Sequence, residues 1–361
     1  MTATIGILTG GGDCPGLNAV IRGVTKSAIR KYGMKVVGFC DGFQGMIEGN
    51  YIYLTEEGVS GILTEGGTIL GTSNVADPFN YYVEDENGGS RKDLSGTCMQ
   101  LYEELGLTAL ICVGGDGTMA IGARLSALGA NVVGVPKTID KDVFGTDTTF
   151  GFDSARATAT EAIDKLHTTA DAHQRVMIVE VMGRNAGWLA LESGIAGGGD
   201  IIIIPEIPYR MEKIVEAVNG RIKRGRRFSI VVVAEGAAPE GGDKVYKKEV
   251  KKSHDPMRLG GVGHVIGREL EELTGIECRV AVLGHVQRGG TPTPLDRLLA
   301  TEFAVKAVEL INEKRFNRMV ALQGSRIASV EIEKVMGKQR TVPPDSDLVS
   351  FARAIGTSFG D

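Results

Sequence analysis

IGILTGGGDCPGLNA, residues 5–19, is the stretch that decides the fold of this chain. A short apolar run comes first, three glycines follow at positions 10–12, and a segment with helical spacing begins at Ala19. A strand, a glycine turn and a helix in this order form the repeating unit of parallel α/β folds. The turn's amides could bind a phosphate at the helix N-terminus, although glycines that only supply positive φ would give the same pattern. No G-K-[ST] follows, so the segment is not a P-loop.

Apolar, β-branched runs like the first recur along the chain, with helix-period segments between most of them. Because these runs are continuous rather than alternating, they predict parallel sheets covered on both faces in a doubly wound α/β fold. Residues 84–96 are predicted to form an exposed loop and residues 241–255 a surface excursion. The predicted strands cover residues 4–8, 36–39, 109–113, 132–135, 176–181, 201–204, 230–234 and 280–283, and the predicted helices cover residues 19–31, 155–167, 211–224 and 263–273.

Composition narrows the class of protein. The 361 residues predict two or three domains, and the 51 glycines are roughly twice the usual share. A net charge of −5 gives the molecule no electrostatic reason to bind nucleic acid. The five cysteines include no C-x-x-C pair, which suits a reducing cytoplasm and argues against structural zinc. A strand-like run from Thr4 and the lack of a long apolar stretch predict neither a signal peptide nor a membrane span.

A second glycine turn follows the predicted strand 109–113. The sequence GDGTMA, residues 115–120, matches the relaxed dinucleotide fingerprint G-x-G-x-x-A. That fingerprint does not require an acid at its second position, where Asp116 would face a bound phosphate. A carboxylate among phosphate-binding amides indicates Mg²⁺ between the two, whereas the alternative is an aspartate that caps the next helix.

A third cluster of polar residues, VPKTIDKD, spans residues 135–142. Asp140 and Asp142 are two apart, so in an extended segment both side chains point to one face. Two carboxylates, a hydroxyl and a lysine beside a metal are suited to phosphoryl transfer. A solvated charged loop is the alternative.

Four arginines lie at or near predicted strand ends in an acidic protein, which indicates a phosphorylated substrate. Each alone would usually be a surface ion pair. His173 and His285 have no second histidine or cysteine at ligand spacing, so we interpret them as hydrogen-bonding imidazoles. The four arginines are Arg175, Arg184, Arg279 and Arg288.

Taken in order, GGDCPGLN, GGDGT, PKTIDKD, HQR, VEVMGR and LGHVQRGG resemble the 6-phosphofructokinase family over roughly residues 4 to 325. GGDGT alone also occurs in NAD kinases and diacylglycerol kinases. The resemblance implies two doubly wound, mostly parallel Rossmann-like domains with the active site in the cleft between them. One would comprise residues 1–150 with about 288–337 returning to it, and would bind nucleotide and Mg²⁺. The other would comprise residues 151–287 with 338–361, and would bind fructose 6-phosphate.

The resemblance also implies a reaction, in which ATP phosphorylates the 1-hydroxyl of fructose 6-phosphate to give fructose 1,6-bisphosphate and ADP. Asp140 would be the general base, while Thr138 and Arg184 would contact the transferred phosphoryl group. Residues implied on the nucleotide and metal side are Gly11, Asn74, Gly115, Asp116, Gly117, Thr118 and Asp142. Residues implied on the sugar side are Met182, Gly183, Glu235, His285, Arg288, Arg175 and Arg279, the last two from a neighbouring subunit of a homo-oligomer, dimer or tetramer.

Two positions bear on the phosphoryl donor. Pyrophosphate users of the resembled family commonly have an aspartate where this chain has Gly117, and glycine leaves room for ATP. Lys137, in contrast, is typical of pyrophosphate users and mixed lineages. Asn74 stands where many ATP-dependent relatives carry an arginine that bridges the substrates, and we hypothesise that Lys137 replaces that charge. The steric signal favours ATP, with a pyrophosphate-dependent or mixed-donor enzyme as the alternative.

Two function classes outside this family explain fewer of these residues. A dinucleotide-binding oxidoreductase would explain the fingerprint at 115–120 but has no use for Asp116, Asp140 and Asp142 together with the arginines. A non-catalytic, ligand-sensing subunit would not need Asp140.

Overall fold

The computed structural model describes residues 2–84, 89–249 and 257–361, and its core is built from two open sheets. Neither predicted loop is entirely irregular: part of each pairs as a short antiparallel ribbon, Tyr81–Val83 with Ser90–Lys92 and Tyr246–Glu249 with Met257–Leu259. The rest of those two predictions, residues 85–88 and 250–256, lies outside the described residues. Within the described ranges, no helix combines the length and apolar character that crossing a bilayer demands.

The larger sheet begins with the strand and helix of the opening motif. Its elements up to the chain's midpoint, with the first ribbon, are β1 (Thr4–Thr9), α1 (Leu17–Tyr32), β2 (Lys35–Phe39), α2 (Phe43–Glu48), β3 (Tyr51–Leu54), β4 (Tyr81–Val83), β5 (Ser90–Lys92), α3 (Ser95–Glu104), β6 (Leu107–Gly114), α4 (Asp116–Ala127), β7 (Val132–Thr138) and β8 (Phe150–Gly151). The central strands β2, β1, β6 and β7 are parallel, and β3 pairs antiparallel at one edge.

The smaller sheet is entirely parallel, in the order β10-β11-β9-β14. Its elements, with the second ribbon, are α5 (Phe152–His173), β9 (Val176–Val181), α6 (Trp188–Ala196), β10 (Ile201–Ile203), α7 (Met211–Lys223), β11 (Ser229–Ala234), β12 (Tyr246–Glu249), β13 (Met257–Leu259), α8 (Val262–Thr274) and β14 (Cys278–Val282).

The chain then returns to the larger sheet before it ends against the smaller one. The last elements are α9 (Pro294–Asn312), β15 (Arg318–Gln323), β16 (Arg326–Glu331) and α10 (Asp347–Ala354). β15 pairs parallel with β7, whereas Ser358 bridges Ile201 of β10. α9 lies against α1 so closely that a Cβ at Gly23 would stand 2.6 Å from the Cβ of Ala304, which explains the glycine there.

The predicted α/β class with mostly parallel sheets is confirmed. Every predicted strand and helix is present, with bounds that differ by a few residues; the largest difference is α5, which runs to His173 rather than to 167. Burial on both faces explains the continuous apolar runs: β9 and β11 are buried at every residue.

Candidate active site

The glycine turn after β1 is fixed by hydrogen bonds to the end of β6 and to the loop at residues 72–73. The amide of Gly10 donates to the carbonyl of Val113, and the amide of Gly11 donates to Ser73 at 3.1 Å. Thr72 Oγ1 donates to the Gly11 carbonyl at 2.7 Å. Gly11 has φ +78°, a conformation that favours glycine, so this glycine is required by the turn itself. The exposed Asn74 follows directly after Ser73 and therefore lies beside this turn.

The turn after β6 places Gly115 at the N-cap and Asp116 in the first turn of α4. Thr118 is buried and packs against both glycine turns. A Cβ added at Gly10 or at Gly114 would lie no more than 2.7 Å from the Thr118 hydroxyl oxygen. A Cβ at Gly117 would have no heavy atom within 4 Å, so this glycine borders open space. Burial raises the pKa of Asp116, while the Gly337 amide opposes that shift.

The loop after β7 carries the candidate general base. Asp140 is 6% exposed and receives a hydrogen bond from no described group at its Oδ1, although its amide donates to Thr138 Oγ1 at 3.0 Å. The expected extended segment is wrong: the strand ends at Thr138, the chain bends, and Lys141 has φ +57°. Asp140 and Asp142 therefore do not share a face through strand alternation.

Cations surround this buried carboxylate. Burial raises the pKa of Asp140, and Arg288, Arg184 and Lys137 oppose the rise in that order. Lys137 is itself buried, which lowers its pKa, and its ammonium donates to the Gly12 carbonyl. Three cations from separate elements thus lie near Asp140, whose Oδ1 receives no hydrogen bond from the described residues.

The smaller sheet supplies a second set of side chains through two adjacent strands. Because β9 and β11 are neighbours, the turn at Met182, Gly183 and Arg184 meets Glu235, whose Oε1 accepts from the Arg184 amide at 3.3 Å. Burial and then the charge of Asp140 raise the pKa of Glu235 to about 7. Gly183 has φ +137°, and a Cβ there would stand 2.6 Å from the Ala186 carbonyl oxygen.

The turn after β14 brings Arg288 across to the larger sheet. A short 3₁₀ turn, Gly284–Arg288, leaves His285 exposed and directs Arg288 against Gly12. A Cβ at Gly12 would lie 2.8 Å from the Arg288 Cζ, so the missing side chain makes room for the guanidinium. The structure thus brings together Lys137, Asp140 and Arg184 with Arg288.

Arg175 and Arg279 lie elsewhere. Arg175 precedes β9 and Arg279 is the second residue of β14, so both lie at the amino edge of the smaller sheet, whereas Arg184 lies beyond its carboxyl edge. Six strand residues separate the two edges, which corresponds to about 20 Å. Glu277 pairs with both arginines, with Arg175 at 3.2 Å. Within one chain these two arginines cannot join Arg288.

Charge repulsion links Asp142 to two further aspartates, Asp140 and Asp116. In the described part of the chain, no group of three His, Cys, Asp or Glu side chains forms a metal site made by protein alone. Mg²⁺, however, usually takes only one or two carboxylates and completes its shell with waters and substrate phosphates. Burial and the neighbouring charges of Asp140 and Asp116 raise the pKa of Asp142 to about 7. A bound cation would relieve this repulsion, so the residues present fit Mg²⁺.

Sequence reasoning missed the contacts that the loop after β7 makes with distant residues. Lys141 pairs with Glu192 of α6 at 2.6 Å. Arg340, far along the chain, donates its amide to the Asp142 carbonyl at 2.8 Å. No spacing or motif links these residues in sequence, so only the fold could reveal them.

Comparisons with known proteins agree with this geometry. A family model described as Phosphofructokinase matches residues 4–311. The chain is 52% identical over 359 residues to ATP-dependent 6-phosphofructokinase 2 of Clostridium perfringens, covering 99% of this chain and 98% of that one. It is also 46% identical over 357 residues to a pyrophosphate–fructose 6-phosphate 1-phosphotransferase of Streptomyces coelicolor, covering 99% of both.

A solved structure shares the fold. The T-state crystal structure of Pichia pastoris phosphofructokinase superposes with a TM-score of 0.80 at 30% identity. The match covers 93% of this chain and 35% of that longer one.

Proposed function

The chain belongs to the phosphofructokinase family, and from this premise we propose that it transfers a phosphoryl group from ATP to the 1-hydroxyl of fructose 6-phosphate, giving fructose 1,6-bisphosphate and ADP. The observation that carries the proposal is Asp140, a buried carboxylate with an unpartnered oxygen among three cations. A dinucleotide-dependent oxidoreductase could use a base, but it would have no use for Asp140 together with Asp116, Asp142 and the arginines.

In the proposed reaction Asp140 takes the proton of the sugar hydroxyl. Burial keeps water from competing for its Oδ1, and the raised pKa makes it a stronger base than an exposed aspartate. Lys137 and Arg184 lie close enough to Asp140 to neutralise charge on the transferred phosphoryl group, and Thr138 lies at the end of the same strand. Positioning and charge neutralisation therefore supply most of the rate.

Mg²⁺ is part of the proposal. Asp116 and Asp142 would hold it, and when bound it would supply charge neutralisation for the donor phosphates. Gly11 and Gly115 would let the same phosphates approach closely because neither carries a side chain, with Thr118 packed behind them and Asn74 beside them.

Gly117 favours ATP over pyrophosphate. The open space at this position would receive the nucleotide beyond its terminal phosphates, and an aspartate side chain would fill it. Lys137 and the pyrophosphate-named relative from Streptomyces coelicolor keep a pyrophosphate-dependent or mixed-donor enzyme as the second candidate.

We further infer that the active site is shared in a homo-oligomer. Met182, Gly183, Glu235, His285 and Arg288 would hold the sugar phosphate at one site, and its 6-phosphate would be completed by Arg175 and Arg279 of a neighbouring subunit. Their place at the opposite edge of the smaller sheet supports this arrangement.

The proposal also includes the division of the chain into domains and the cellular compartment of the protein. We infer that each sheet is the core of one domain, with residues 288–337 joined to the first and 338–361 to the second; the pairing of β15 with β7 and of Ser358 with Ile201 supports this. The five free thiols suit a reducing cytoplasm.

One experiment tests the activity and the donor together. The purified protein receives fructose 6-phosphate, Mg²⁺ and either ATP or pyrophosphate, and bisphosphate formation is followed; we expect product with ATP. Gly117→Asp should then lose most of its activity with ATP, while Gly117→Ala, which adds only a methyl group, should keep it. No product with either donor contradicts the proposed enzyme, and equal use of ATP by the aspartate variant contradicts the role of Gly117.

A further inference from the structure

The segment Gln339–Val342 lies against the loop that carries Asp140. Gln339 forms an antiparallel bridge with Val143. The Arg340 amide donates to the Asp142 carbonyl at 2.8 Å, and Arg340 Nη1 donates to the Lys141 carbonyl at 3.4 Å. Arg340, which is distant in sequence, thus donates hydrogen bonds to two consecutive carbonyls of the loop.

The same segment is fixed to the smaller sheet through Trp188, at the start of α6. The Trp188 indole Nε1–H donates to the Arg340 carbonyl at 3.0 Å, and the Arg340 guanidinium lies 4.1 Å from the ring centroid. Glu206 completes the attachment, because its Oε1 accepts from the amides of Val342 and Gly187 at 2.8 and 2.9 Å. The segment around Arg340 is therefore attached both to the loop after β7 and to residues of the smaller sheet's half.

The loop itself has a second attachment to the same helix. Lys141 has φ +57°, a costly conformation for a lysine, which persists only where its surroundings enforce it. Its ammonium pairs with Glu192 of α6 and lies 5.1 Å from the Trp188 centroid. Lys141 and Arg340 thus tie the bend between Asp140 and Asp142 to one helix of the smaller sheet.

We propose that Arg340 is a positioning residue for the catalytic loop. It contacts the backbone of Lys141 and Asp142 and no group assigned to a substrate, so it acts through the geometry of Asp140. The inference rests on the proposed phosphotransfer at Asp140. It also gives the segment after residue 338 a function: joining the loop that performs the chemistry to the half of the molecule that would hold the sugar.

The test compares Arg340→Ala and Arg340→Lys with Lys338→Ala as a matched control. Lys338 lies two residues earlier, is exposed, and has its ammonium 5.2 Å from the Phe144 ring centroid rather than against the backbone of Lys141 and Asp142. We expect Arg340→Ala to lower kcat by about tenfold to a hundredfold, as for other small displacements of a reacting group, while KM for both substrates stays within threefold. Both variants keep the backbone amide that donates to the Asp142 carbonyl; Arg340→Lys also keeps the positive charge and should recover part of kcat, whereas Lys338→Ala should match the wild type.

A second readout does not depend on turnover. Trp188 is the chain's one tryptophan, so tryptophan emission reports on the surroundings of this ring, which include Arg340 and Lys141. Emission should shift in Arg340→Ala and not in Lys338→Ala, because only the first change removes the guanidinium from the ring.

Three outcomes overturn the inference. The first is an unchanged kcat in Arg340→Ala, which would make Arg340 a packing residue only. If Arg340→Ala does not fold, an unchanged kcat in Arg340→Lys has the same meaning. A rise in KM with kcat unchanged would assign Arg340 to binding instead. A wild-type protein that forms no bisphosphate contradicts the proposed function, whereas equal turnover in wild type and variants contradicts this inference alone.

Discussion

Lys137 is a buried cation at the centre of the candidate site. Its ammonium donates to the Gly12 carbonyl and lies within reach of the Asp140 charge. We expect Lys137→Met, which keeps the volume and removes the charge, to lower kcat by about a hundredfold, the usual effect of losing one donor that stabilises transition-state charge. Steady-state kinetics with both substrates measure it.

A different result would assign Lys137 another role. If Lys137→Met weakened binding of fructose 6-phosphate but left kcat unchanged, the lysine would bind the ground state and would not replace the arginine missing at Asn74. Lys338→Ala, an exposed charge removed outside the site, serves as the control.

Asp296 predicts a pH dependence of stability. It is almost fully buried, accepts from the Ser154 amide at 2.8 Å and hydroxyl at 2.6 Å, and burial raises its pKa to about 6. Since the folded state holds the proton more tightly than the unfolded chain, this group's contribution is complete at low pH and is lost as pH rises through about 6. Ionised Asp296 therefore lowers the free energy of unfolding at pH 8.

Asp296→Asn, whose amide oxygen can still accept from Ser154, should remove this dependence. Thermal unfolding should show a stability difference that is absent below the unfolded pKa of 3.8 and grows as pH rises through about 6, until at pH 8 the variant is more stable by on the order of 3 kcal/mol. A variant less stable at pH 8 would show that the ionised carboxylate is well solvated or paired in the fold.

At the residue scale, the sequence indicated which side chains lie together better than it indicated the path of the loop that carries them. Lys137, Asp140 and Arg184 come together as expected of residues at or just after the carboxyl ends of parallel strands. The bend at Lys141 was not predictable, because its cause is Glu192 and Arg340, which no local pattern connects to it. The assigned roles of the site residues stay predictions.

Among the elements, strands were predicted most closely, since burial on both faces leaves an unbroken apolar run such as β9. Helix ends were less certain because capping glycines and exposed last turns carry little apolar signal. The two ribbons, β4 with β5 and β12 with β13, were missed because one strand of each, Ser90–Lys92 or Tyr246–Glu249, is mostly polar and because their pairing is not local enough for a turn motif.

Two turns at the carboxyl edge of the smaller sheet touch through Gly236. A Cβ there would overlap the Arg184 carbonyl oxygen and lie 2.8 Å from its carbonyl carbon. We expect Gly236→Ala to shift Arg184 and Glu235, lowering stability by about 1 to 3 kcal/mol, as overpacking does. KM for fructose 6-phosphate should rise, as measured by steady-state kinetics beside thermal unfolding.

Gly96→Ala is the matched control. Gly96 lies within α3, and a Cβ there would meet no heavy atom within 4 Å. The same methyl group should stabilise the fold by about 0.5 to 1 kcal/mol, because alanine loses less backbone entropy in a helix. Full activity and stability of Gly236→Ala would show that the two turns can separate without consequence.

For the whole molecule, the sequence indicated the fold class but not which sheet edge each arginine occupies. Arg175 and Arg184 are nine positions apart, a distance that carries no information until β9 is known to run between them. That strand places them at opposite edges.

Subunit complementation tests the shared site. Asp140→Asn removes the base of a chain's own site, whereas Arg279→Ala would disable the site of its neighbour. Each variant alone should be nearly inactive. Coexpressed as a dimer, half of the random assemblies would be mixed and each mixed dimer would keep one intact site, so about a quarter of wild-type activity should return. Activity no greater than the sum of the single variants would contradict a site shared between subunits.

The separation of Arg175 and Arg279 from the other proposed sugar-binding residues would make ligand binding depend on protein concentration. In the proposed shared site a sugar phosphate would bind only to assembled protein, so by mass action a saturating sugar phosphate would also favour assembly. Apparent affinity then depends on how much protein is present, and the degree of association depends on how much sugar phosphate surrounds it. Ligand binding and subunit association would be thermodynamically linked, so that a change in one would change the other.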